Sequence, residues 1–183
     1  MKKVLLSLII CVLYLQASAQ ANYMTRNGQI SFFSKTSMEN IDAVNNEVTS
    51  IINTGTGEIV YAVLVKSFRF EKALMEEHFN ENYMESDKFP KSTFSGKLTN
   101  LSAIDFKKNG SYPATVEGDM TIHGIKQHVT ASGTIVVNGN KISITSTFSI
   151  KLADYKIEVP SLVAEKIAES IEVKVNCQYE PKS

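Results

Sequence analysis

The sequence predicts an all-β protein of about eight antiparallel strands with one amphipathic helix inserted among them. Three observations carry this. Apolar and polar residues alternate with a period of two through most of the chain, the pattern of strands with one buried face. Turn-forming clusters separate the runs at Asn53–Gly57, Lys107–Gly110, Gly124–Gln127 and Asn138–Asn140. Helical spacing of apolar residues occurs in one place, from Glu71 to about Tyr83. Strands that alternate along a whole domain either close into a barrel or pack as two sheets. Gly96, Gly118 and Gly133 fall inside strands, where glycine is costly unless a bend or close approach needs it. Barrel corners are such places, although a sandwich bends its strands too.

The elements follow in chain order. Met1-Lys2-Lys3 is basic, Val4 to Leu15 is apolar, and Ala17-Ser18-Ala19 has the small-x-small pattern of a cleavage site. We expect residues 1–19 to be a signal peptide and residues 20–183 to be one domain, periplasmic or secreted. The apolar run is shorter than the roughly 20 residues a bilayer span takes, so no stable membrane insertion is expected. Cys11 is not preceded by the small residue that a lipid-attachment site would need, since Ile10 stands there. Cleavage takes away Lys2 and Lys3, leaving 17 basic residues against 19 acidic ones, a net charge of −2. That balance argues against nucleic acid, which calls for a basic face. Cys177 is then the single cysteine, alternating with Val173 and Val175 as a buried small side chain would.

Glu58 to Lys66 is apolar on both faces and predicts a strand covered on both sides. In Thr115 to His123 the inward set is Val116, Gly118, Met120 and Ile122. In Val129 to Val137 it is Val129, Ala131, Gly133, Ile135 and Val137. In Lys141 to Ile150 it is Ile142, Ile144, Ser146, Phe148 and Ile150, and the last strand turns Ile171, Val173, Val175, Cys177 and Tyr179 inward. On the helix, Leu74, Met75, His78, Phe79 and Asn82 share a stripe toward the protein, with Glu76, Glu77 and Glu81 toward water.

The inward positions mix small residues (Ala62, Ala131, Gly133, Gly118, Ser146) with large ones (Phe32, Tyr61, Phe94, Met120, Phe148). Small residues facing inward leave volume, and apolar walls suit an apolar guest. The candidate ligand-binding residues are Phe32, Tyr61, Val63, Phe70, Leu74, Phe79, Phe94, Leu98, Met120, Ile122, Ala131, Phe148 and Tyr155. The helix would act as a lid. The competing reading is a filled barrel, an interaction module that binds a protein partner on its outer face or helix. A homodimer is a further option, favoured if a strand edge is left unpaired.

Four segments resemble the YceI family: Phe70 to Pro90, Thr93-Phe94-Ser95-Gly96, Gly118 to Gly124, and Phe148 to Tyr155. The resemblance runs from roughly Gly28 to Tyr179, and the helix-to-Pro90 segment and the Thr121-Ile122-His123-Gly124 turn are its specific parts. It implies an exported bacterial protein with a lipocalin-like barrel that holds a polyisoprenoid or other long-chain lipid. Asn45-Asn46 and Thr54-Gly55-Thr56 depart from the regular early hairpin of many members.

Little in the chain points to chemistry. There is no Gly-x-Ser-x-Gly elbow and no phosphate-binding glycine loop before a helix. His123 and His128 flank the turn Gly124–Gln127 and would face each other across the hairpin, with His78 as the third ligand a zinc site wants. A surface pair of histidines is the simpler reading, so no metal, no cofactor and no catalytic residue are expected. Lys66, Arg69 and Lys72 stand near the start of the helix, where they would meet an anionic head group or simply be solvated.

Overall fold

The computed structural model describes residues 22–182. Within them, eight long strands form one closed antiparallel wall: β1 (Asn22–Lys35), β2 (Asn40–Asn53), β3 (Glu58–Leu64), β5 (Lys91–Leu98), β6 (Gly110–Ile122), β7 (Ile125–Asn138), β8 (Lys141–Lys151) and β9 (Ser170–Pro181). A two-residue strand, β4 (Arg69–Phe70), pairs with the start of β2. Neighbours in the wall run β1-β9-β8-β7-β6-β5-β3-β2, and β1 pairs with β2 to close the ring. Closure removes the unpaired edge of the wall, and with it the reason the sequence offered for a homodimer.

Glycine permits the tight contacts of this wall where β5 meets β6. Gly96 and Gly118 stand opposite each other. A Cβ on Gly118 would lie 2.3 Å from both Gly96 Cα and Ser95 O, so no larger residue fits. The Phe94 ring covers the gap: a Cβ on Gly96 would come within 2.4 Å of that ring.

Inward and outward faces follow the predicted alternation in β6 to β9. β3 differs from expectation. Ile59 and Val63 are buried, whereas Val60 and Leu64 are 42% and 44% exposed. The strand is covered on one side only, because among the described residues nothing packs on the outside of the wall there. Ala62 points outward for the same reason, being the neighbour of inward Tyr61 and Val63. Asn45 lies mid-strand at an irregularity of the β1–β2 register. It is fully buried, and its amide donates to Leu64 O at 2.9 Å while its Oδ1 accepts from Glu47 N at 2.8 Å.

The two ends of the barrel differ. At one end sit the β2–β3 turn, the β7–β8 turn and the loop after β5, whose Leu101, Ile104 and Phe106 pack against the main core. That core contains Val48, Ile52, Ile135, Ile142, Cys177 and Tyr179, all nearly inaccessible. Burial pushes the Cys177 thiol up to about 11, as expected of a packing residue rather than a nucleophile. At the other end lie the β1–β2 turn, the helical segment, the β6–β7 turn and the long β8–β9 connection.

The helical segment is shorter than the sequence predicts. One α-turn and a half, α1 (Ala73–His78), runs into a π-helical turn over Phe79–Tyr83. No residue of either is fully buried. Met75, Phe79 and Tyr83 are its more covered residues, whereas Asn82 faces solvent and Glu76 folds back to Arg69 at 2.9 Å. The widened turn re-phases the stripe, which is why a strict 3.6-residue count misplaces Asn82.

Candidate functional site

A cavity of about 560 Å³ occupies the barrel and opens at the helical end. Its inner wall is made by Ile59, Tyr61, Leu98, Ala114, Ile135, Ile144 and Val175. Toward the mouth follow Phe32, Val63, Phe94, Met120, Ile122, Ala131 and Phe148, and the rim is formed by Phe70 of β4 with Leu74, Met75, His78, Phe79 and Tyr83 of the helical segment. Twelve of the thirteen residues named from the sequence therefore line one space. Period-two alternation brings the nine on the long strands there, each at an inward position, while Phe70, Leu74 and Phe79 arrive with the short β4 and the helical segment that follows it.

Tyr155 is the exception. Its side chain is buried outside the cavity, in a second cluster with Val65, Met84 and Ile157. The short 3₁₀ turn after β8 carries it across the outside of the strand end, and burial raises its phenol above the usual value. It packs at the end of the wall and does not line the cavity.

Four phenylalanines organise the mouth. Phe79 packs 5.0 Å from Phe70, 5.4 Å from Phe32 and 5.6 Å from Phe68, and Phe32 packs 5.2 Å from Phe68. The tilted and edge-on geometries are those in which ring quadrupoles attract. This cluster, rather than backbone hydrogen bonding, holds a helical segment too short to be stable by itself. Leu74 nevertheless remains 59% exposed, as it must at the lip of an open cavity.

The far side of the mouth was not expected from the sequence. Leu152, Ile157, Val163 and Ile167 line the cavity from the β8–β9 connection, which Ala168 N anchors to Ser34 Oγ at 2.9 Å. The signal was present: apolar residues recur about every five positions across a segment with no strand alternation. Leu162 beside them is 95% exposed.

The basic residues near the helix are each matched. Lys66 pairs with Asp87, Arg69 with Glu76 at 2.9 Å, and Lys72 with Glu39 at 3.4 Å. The histidines do not converge. Ile122 pairs with Ile125, so the turn contains two residues, His123 and Gly124, at φ values of 50° and 72°. This is the geometry of a tight hairpin turn with both central residues left-handed. His123 therefore sits in the turn, its Nε2 2.8 Å from Glu85 Oε2 and its Nδ1 3.2 Å from Tyr155 O. That contact with His123 holds the Glu85 carboxyl below its usual range. His128 instead faces Asp119, 3.0 Å away on the outer surface, and lowers that carboxyl. Among the described residues, no group of three or more His, Cys, Asp or Glu is placed to hold a metal ion.

One polar feature lies against the cavity. Tyr61 is half-buried on the wall, and behind it Tyr179 Oη lies 2.9 Å from Tyr61 Oη and 2.8 Å from Ser50 Oγ. Ser50 in turn donates to Val60 O at 2.7 Å. Burial raises both phenols well above their usual range, so they stay neutral.

The YceI-like domain family matches residues 17–179. The fold is shared with a polyisoprenoid binding domain from Saccharophagus degradans implicated in plant cell wall breakdown (TM-score 0.77, 14% identity, covering 89% of this chain and 99% of that one). It is also shared with BcnA of Burkholderia cenocepacia (0.69, 16%, 82% and 95%) and with a Campylobacter jejuni YceI protein (0.62, 15%, 77% and 85%). No curated protein matches the chain.

Proposed function

The chain belongs to the YceI-like family, and from that premise we propose that it is an exported, non-catalytic binding protein holding a long apolar ligand, a polyisoprenoid or other lipid, inside its barrel. The observation that carries this reading is the cavity: about 560 Å³, walled by aliphatic and aromatic side chains, and open at one end. That size lies within the roughly 300–1,000 Å³ typical of small-molecule sites. A solved structure of the same fold is described as a polyisoprenoid binding domain. Affinity would come from burying methylenes at roughly 0.8 kcal/mol each. About ten of them offset several kcal/mol of lost translational and rotational freedom. A filled barrel that serves only as an interaction module is disfavoured by the same open volume. Export rests on the N-terminal pattern of residues 1–19, which lie outside the described residues.

The test is to narrow the wall. Ala131 lines the cavity from β7 and is half-buried, so Ala131→Phe fills space without touching the packed core. The variant is expected to fold, by its circular dichroism, and to bind a long-chain isoprenoid at least tenfold more weakly. Unchanged binding in a folded variant would place the ligand elsewhere.

A further inference from the structure

The Tyr61–Tyr179–Ser50 chain fixes which way its protons point. Val60 O is a carbonyl and can only accept, so Ser50 donates to it across 2.7 Å. With that proton spent, the 2.8 Å contact between Ser50 Oγ and Tyr179 Oη requires Tyr179 to donate. Tyr179 has no second proton, and the 2.9 Å contact to Tyr61 then requires Tyr61 to donate to Tyr179. Tyr179 and Ser50 are fully buried and take no further partner from water, whereas Tyr61 lines the cavity. With its proton spent on Tyr179, the hydroxyl of this cavity-lining residue can offer an incoming group only lone pairs. Ser146, the other hydroxyl turned inward at mid-barrel, is in the same condition: it donates to Ser132 O at 2.6 Å. The walls around them are Ile59, Ile135, Ile144 and Val175, which offer no donor.

We propose that the inner part of this cavity selects a long-chain molecule whose leading end is a neutral hydrogen-bond donor, a primary alcohol or a primary carboxamide, inserted head first toward Tyr61. The assignment rests on the reading of the barrel as a lipid carrier and adds the chemistry of the end group. A donor satisfies oxygens that otherwise lack one. An ether or ketone brings only acceptors against acceptors, and a carboxylate adds the desolvation of a charge.

The experiment compares hexadecanol, hexadecyl methyl ether and hexadecanoate for displacement of a pre-bound fluorescent fatty-chain probe from the full domain. Hexadecanol is expected to compete roughly five- to tenfold better than the ether, the worth of one neutral hydrogen bond, and hexadecanoate worse than either at pH 8. Tyr61→Phe removes the acceptor and leaves Tyr179 still able to donate to Ser50. In that variant alcohol and ether are expected to converge while both still bind. Equal affinity in the unmodified protein, or a preference that persists in Tyr61→Phe, overturns the end-group assignment and leaves the carrier reading standing. Failure of the probe and of all three chains to bind overturns both.

Discussion

At the closed end of the barrel, Ile52, Tyr179 and Cys177 have essentially no accessible surface, and hydroxyls are paired in a fixed order. At the open end, the helical segment has no fully buried residue, and four phenylalanines hold it against the rim. Both ends are apolar, yet one is packed to exclude everything and the other leaves apolar surface facing a void. The difference locates the work of each region. Stability is concentrated where the core is complete, and binding is left to the half where packing stops short. An unfilled apolar volume is costly to a folded protein, so a guest that fills it is stabilising by mass action.

The sharpest way to break the contrast is at the wall both ends share. Gly118→Val would drive a side chain into Gly96 and Ser95 backbone, which cannot step aside. A loss of about 3 kcal/mol is expected, read as a fall of roughly 6–12 °C in the melting temperature. Next comes a matched pair of truncations. Ile52→Ala, in the closed core, should cost about 2–5 kcal/mol in urea unfolding. Leu74→Ala, at the lip, should change stability by less than about 0.5 kcal/mol while weakening lipid binding. If the two truncations cost the same in the ligand-free protein, the division between a packed end and an open end is wrong.

The smallest effect is electrostatic and confined to the open end. Glu85 is depressed by its contact with His123, so the contact's contribution is complete above the ordinary carboxylate range. It is lost as pH falls through the lowered Glu85 value. The His123 ring resonances should therefore shift below about pH 4 in the parent protein. In Glu85→Gln that acid-range shift should vanish, with the closed-end resonances unmoved in both.

Sequence alone was a good guide wherever one rule governed a position. Alternation placed Met120, Ala131 and Phe148 on the cavity wall, because a strand has only two faces. It failed at β3, whose outer Val60 and Leu64 meet solvent: apolarity on both faces does not say whether a second layer exists. Tyr155 was misplaced because a 3₁₀ turn after β8 leaves the strand period, and no pattern in the residues marks that exit. The His123–Gly124 turn was set two residues late, since Gly124 and Lys126 made the longer loop look equally natural. Asn45 and the Tyr61–Tyr179–Ser50 chain were illegible for a deeper reason. The contacts that define them, Asn45 to Leu64 and Tyr179 to Ser50 and Tyr61, join residues 19, 129 and 118 apart and depend on strand order. The family resemblance carried the fold across these gaps, but it assigns no proton to any hydroxyl.

The most direct test of the carrier account is to produce the mature domain in a bacterial periplasm, purify it without detergent, extract it with organic solvent and identify the extract by mass spectrometry. The account predicts about one long-chain isoprenoid or fatty molecule per protein. An empty extract, together with no uptake after such lipids are added to refolded protein, would contradict it and return the barrel to the class of partner-binding modules.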